Sequence, residues 1–150
     1  MASIKTPCLG ICSTTSVGDV VCRGCKRYAF EVIDWNGYDV EAKSAVLSRI
    51  ERLSTQILEN KLRIFSEPNL RAGLNRFQIP YDELLSPYCW LHNLLKKGHG
   101  RMESLEEYGV YALGNYAGMP LSQLCEIIES DLLLLSEAHH ARYFSATKFD

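Results

Sequence analysis

A mainly α fold is what this 150-residue chain predicts: a small N-terminal four-cysteine metal-binding module, built of knuckles and a hairpin, followed by an all-α helical body. Three observations carry that expectation. Four of the six cysteines, Cys8, Cys12, Cys22 and Cys25, fall within the first 25 residues. From about residue 39 onward, apolar residues recur at helical spacing. Proline, glycine and capping residues interrupt that pattern where helices should begin and end.

The cysteines come first along the chain. Cys8 and Cys12 enclose three residues and Cys22 and Cys25 enclose two, with Gly10 and Gly24 inside the pairs. A short thiolate pair on a sharp turn aims both sulfurs at one point, and glycine permits that turn. Between the pairs, Ser16-Val17-Gly18-Asp19 reads as a hairpin turn and Val20-Val21 as a short returning strand. Residues 26–35 then read as a helix with Phe30, Ile33 and Trp35 facing inward, stopped by Asn36-Gly37.

Asp39 is a fitting N-cap for a long helix reaching about Phe65. Val46, Ile50, Leu53, Ile57 and Ile64 form its apolar stripe, widened by Leu47, Leu58 and Phe65, and Glu67-Pro68-Asn69 breaks it. Residues 70–82 are the least regular, read as a loop or a short helical turn around Leu70–Phe77. Ser86-Pro87 opens a helix that runs to Lys96-Lys97-Gly98. Ser104 and Glu107 match a capping box that starts a short helix through Tyr111. A last helix follows Met119-Pro120, with Leu121, Leu124, Ile128, Leu132 and Leu135 on one face. The implied organisation is a metal module over 1–38 and a helical body over 39–150.

Composition narrows the function classes. Apolar residues make up 47%, enough for a packed core, yet no stretch approaches twenty consecutive apolar residues, so no membrane span is expected. The first seven residues lack the apolar core of a signal peptide, and a cytoplasmic location follows. In a reducing compartment, clustered cysteines read as metal ligands rather than disulfides. Residues 1–66 carry a formal charge of +2 and residues 67–150 one of −4, which is not the basic footprint of a dedicated nucleic-acid binder.

The other candidates have ordinary explanations. Cys89 and Cys125 read as inert core thiols. His92, His99, His139 and His140 read as surface histidines. Arg23, Lys26 and Arg27 read as cations that offset the charge of a thiolate centre, with RNA phosphate contacts as the alternative. Tyr108, Tyr111 and Tyr116 suit either a groove or helix packing. No phosphate loop, His-Glu-x-x-His helix or Ser/His/Asp arrangement is readable, so the sequence displays no enzyme chemistry.

Residues 6–53 resemble a family of short bacterial proteins catalogued as domain of unknown function 1289, whose members are often labelled predicted iron–sulfur proteins. The resemblance rests on Pro7-Cys8, Gly10 and Cys12, then Cys22, Gly24, Cys25 and Arg27, then Glu31, Trp35, Val46 and Ile50. One departure is Tyr28, where the family carries a small hydroxyl residue. The resemblance implies a metal centre and no settled activity.

Zn2+ held by Cys8, Cys12, Cys22 and Cys25 is the first expectation, because closed tetrathiolate sites are the usual structural zinc sites. An iron–sulfur cluster is the alternative, since four cysteines also serve clusters. Around the site, Trp35 should pack under the metal loop while Glu31 bonds a knuckle N–H or Arg27. The functional reading is a binding or adaptor protein whose metal is structural and whose helical body engages a protein partner. Its alternatives are an iron–sulfur protein for electron transfer or redox sensing and, more weakly, an RNA-binding accessory factor. The long helix from residue 39 also leaves a dimer open.

Overall fold

The computed structural model describes residues 13–16 and 18–144; the expectations placed on Cys8, Cys12 and Val17 lie outside the described residues. The described chain is mostly helical, as expected, and adds a small two-stranded sheet that helical periodicity does not reveal. Its elements are α1 (Ser13–Ser16), α2 (Ala29–Asp34), α3 (Val40–Lys61), β1 (Leu62–Ile64), α4 (Glu67–Arg76), α5 (Pro87–Gly98), β2 (Val110–Ala112) and α6 (Leu121–Tyr143). Short 3-10 turns occupy Trp35–Gly37, His99–Arg101, Glu106–Tyr108 and Gly114–Tyr116. None of the helices is long and apolar enough to cross a membrane, among the described residues.

Two compact units divide the chain, Met1–Leu53 with Asp131–Asp150, and Ser54–Ser130. In the 54–130 unit, α5 supplies the centre. Trp90, Leu91, Leu94 and Leu95 recur at helical spacing and are all buried, so one face of α5 is apolar and closed to water. Each fully buried leucine contributes about 1.5–3 kcal/mol through removal of apolar surface from water. Leu58, Leu70, Leu74, Val110, Leu124 and Ile128 complete the same cluster. Ser86 caps α5 as expected, accepting the Tyr88 N–H at 3.2 Å, with Pro87 at its first turn.

Three expectations in this unit need correction. The long helix stops at Lys61, and Leu62–Ile64 leaves it as β1. Antiparallel pairing sets Leu62 opposite Ala112, Arg63 opposite Tyr111 and Ile64 opposite Val110, so Tyr111 belongs to a strand and not to a helix begun at Ser104. Phe65, assigned to the apolar stripe, is exposed. The cause is a long-range one: the Gly109 carbonyl accepts the N–H groups of Phe65 and Ser66, which holds the two segments edge to edge. The Glu67-Pro68-Asn69 break is also a beginning. Ser66 accepts the Asn69 N–H at 3.3 Å and caps α4, where proline in the first turn has no partner to lose.

The unit of residues 1–53 and 131–150 is organised around Tyr28, Trp35, Val46, Leu53 and Leu132, all buried. Asp39 caps α3 as expected, accepting the Ala42 N–H at 2.7 Å. The preceding helix is shorter than expected, because Lys26 adopts φ +66°, outside helical space, and α2 begins only at Ala29. Ile33 faces outward, 75% exposed, and Phe30 lies largely at the surface, while Glu31 and Trp35 are buried instead.

Candidate metal centre

The second cysteine pair lies on a closed turn. Val21 and Tyr28 form an antiparallel bridge, and between them the Cys22 N–H donates to Arg27 O while the Lys26 N–H donates to Cys22 O, both at 2.9 Å. The reversal within six residues uses one left-handed position, at Lys26. Cys22 and Cys25 are free thiols and both are buried. Cys8 and Cys12, the other two expected ligands, lie outside the described residues. Among the described residues no three histidine, cysteine or acidic side chains gather closely enough to hold a metal ion.

The two thiols of the turn are shifted in opposite directions. Burial alone would push the Cys22 thiol up, but hydrogen bonds at the backbone of Cys25, Ser13 and Gly24 and the Cys25 side chain outweigh it and bring it down to about 6. Burial pushes the Cys25 thiol up, and the Arg27 guanidinium works against that rise. Arg27 Nε donates to Cys25 Sγ at 3.3 Å, and the same guanidinium lies 5.0 Å from the Trp35 ring centre. Trp35 therefore packs beneath the loop through Arg27. Lys26 and Arg27 are each only 3% exposed; Lys26 Nζ donates to the carbonyls of Gly24 and Arg23. Arg23 alone of the three basic residues is exposed, and it pairs with Asp19 at 3.1 Å.

Glu31 does bond a backbone N–H of this region, that of Tyr28, at 2.8 Å, but its charged partner is Arg49 on α3 and not Arg27. Both side chains are nearly closed to water, 5% and 8% exposed. Arg49 went unnoticed in the sequence, yet a signal was present. Val46, Arg49 and Leu53 are three and four residues apart, so this arginine sits on the apolar face of α3. Its guanidinium carbon stands 3.9 Å from the Tyr28 ring centre.

Tyr28 is the hub of the unit. Its hydroxyl bonds His139 Nδ1 at 2.8 Å, and its ring meets His140 edge-on at 4.8 Å and Phe144 at 5.3 Å. His139 and His140 are thus part-buried members of an aromatic cluster and not free surface histidines. Burial, with Arg49 and Arg52 nearby, lowers the pKa of His139, and burial lowers that of His140. Beside this cluster is a cavity of about 420 Å³, lined by Glu31, Tyr38, Arg49, Arg52 and His139 among others.

The remaining candidates lie in the 54–130 unit. His92 is 6% exposed and bonded to Glu129, which corrects its surface assignment. His99 Nδ1 bonds Leu95 O. Cys89 lies 3.6 Å from Thr55 Oγ1, and burial and the nearby Glu129 carboxylate raise Cys125 to about 11, so its thiol stays protonated. Tyr108 packs into the core, whereas Tyr111 and Tyr116 line a cavity of about 300 Å³ with Glu103, Glu106 and Met119.

Comparison with known proteins yields one family. Residues 6–54 match the model of the family described as Protein of unknown function (DUF1289), the one that the cysteine spacing, Glu31 and Trp35 resemble. No curated protein and no solved structure matches the chain.

Proposed function

Within the family matched over residues 6–54, we propose that this is a metal-binding protein in which Cys8, Cys12, Cys22 and Cys25 hold one Zn2+ in a structural role and the helical body serves as a binding or adaptor surface for a protein partner. The observation that supports it most is the turn at Cys22 and Cys25: two buried thiols on six residues of closed backbone, with the N–H of a buried arginine directed at one sulfur. Lys26 and Arg27 are buried basic side chains, and thiolates formed at this turn on metal binding would be the anions that offset their cost. Zinc bound to such thiolates would tie the N-terminal segment to α2, and its binding energy would be folding energy.

A second reading, an iron–sulfur protein transferring electrons or sensing redox state, draws on the same N–H to sulfur bond, because such bonds tune the potential of a cluster. The RNA-binding reading draws less support, since two of its three cations are buried. Protein purified anaerobically without chelators decides between the metals. One zinc per chain and no visible absorption is the expected result. Iron with acid-labile sulfide would assign the centre to the second reading, and neither metal under reconstitution would end both.

A further inference from the structure

The family match runs to residue 54, far past the last clustered cysteine. In that stretch lies a buried ion pair, Glu31 with Arg49, of a kind that contributes little net stability. Desolvating two charges costs about as much as their attraction returns, and apolar replacements of such pairs are often neutral. The best-attested use of a buried pair is to fix register. What this pair touches indicates which register it fixes.

We infer that Glu31 and Arg49 form a latch that positions the Cys22–Cys25 turn, which makes Arg49 on α3 a positioning residue of the metal centre although it is no ligand. This rests on the reading that Cys22 and Cys25 are ligands. Arg49 grips both oxygens of Glu31, one through Nη1 and the other through Nη2 at 2.9 Å. The Nη2 group also donates to Lys26 O at 3.3 Å, and Glu31 accepts the Tyr28 N–H at 2.8 Å. The latch therefore holds the peptide groups on either side of Arg27, the residue whose Nε donates to Cys25 Sγ. Lys26 and Arg27 are in turn hydrogen-bonded through their backbones to Cys22. A displacement of the latch passes to both cysteines through these hydrogen bonds.

The left-handed Lys26 is the part of the turn in need of support. A non-glycine residue there costs about 1–2 kcal/mol, and such a conformation persists only where its surroundings overdetermine it. Arg49 bonds the carbonyl of that very residue and covers the ring of Tyr28 two positions later. Lysine at 49 would keep the charge but not the planar fork that spans Glu31 and Lys26 O together.

The test uses the full-length chain with Arg49→Lys, Arg49→Met and the double variant Glu31→Gln with Arg49→Met. Zinc-loaded protein is mixed with a chromophoric chelator, and the Co2+-substituted form gives the visible ligand-field spectrum. Both Arg49→Lys and the double variant should release zinc about tenfold faster or more, with an altered Co2+ envelope, a change worth about 1.4 kcal/mol. A merely stabilising role would lower Tm in step with retention; the positioning role moves retention and spectrum in a double variant whose Tm is unchanged. The double variant also guards against collapse of Arg49→Met, because it leaves no unpaired buried charge. Wild-type release rates and an unaltered spectrum in a folded double variant would overturn the latch. Should the wild type bind neither zinc, cobalt nor iron, the metal reading fails separately. Hydrogen exchange then decides the latch: faster exchange at the Cys22 and Lys26 amides with Leu91 and Leu94 still protected upholds it, and unchanged exchange overturns it.

Discussion

Gly109 shows how much a single atom decides in this chain. Its φ is +75°, and a Cβ there would stand 2.2 Å from the Ser66 carbonyl oxygen, so backbone strain and backbone collision coincide. Gly109→Ala should cost about 2–4 kcal/mol, read as a fall in Tm; a loss under about 0.5 kcal/mol would contradict the packing. The histidines by Tyr28 give a pH dependence. His139 and His140 have folded pKa values below the ordinary 6.5, so the unfolded chain binds their protons more readily. Their contribution is full above about pH 6.5 and is lost as the pH falls through the folded values, with Arg49 and Arg52 opposing the new charge and Glu31 favouring it. Tm should therefore drop as the pH falls below about 6.5, and replacing both with glutamine should flatten that drop. Cys125, raised to about 11, should resist alkylation at neutral pH.

At the scale of elements, caps and long-range pairing share control. Asp39 and Ser86 each satisfy a free N–H at a helix start, and Asp39→Ala or Ser86→Ala should each cost about 1 kcal/mol, with Asp39→Asn nearly silent. Denaturant titration measures this directly. Local signals of this kind survive folding because the donor and acceptor are two or three residues apart. The β1–β2 pair is different. Leu62–Ile64 continues a helical stripe on paper, yet takes strand geometry because Val110–Ala112 pairs with it and the Gly109 carbonyl accepts the next two N–H groups, those of Phe65 and Ser66. The same holds for α2, whose late start follows from the left-handed Lys26.

Over the whole molecule, each unit has its own buried centre: Tyr28 with Trp35 and Leu132 in one, the Leu91 and Leu94 face of α5 in the other. Leu91→Ala should cost about 2–5 kcal/mol through lost burial and a residual cavity. If the metal is structural, chelation should lower amide protection across residues 18–53, and Cys22→Ser should reproduce that loss without added chelator. Protection there that is unchanged by chelation would remove the structural role.

What the sequence determined by itself was whatever depends on near neighbours: the helical character, the caps at Asp39 and Ser86, the turn that carries Cys22 and Cys25, and the placement of Trp35 near that turn. Spacing suffices for these because backbone geometry alone brings residues a few positions apart onto one face or one turn. The tertiary structure decided which charges went inside. In the linear chain Glu31 points only to the turn beside it, Arg49 is an ordinary helix residue, and His92 and His139 are ordinary polar ones. Burial gave them specific partners, Arg49 with Glu31, His92 with Glu129 and His139 with Tyr28. A buried charge or polar ring must find its partner wherever the fold supplies one, and that partner's position in the sequence follows no period.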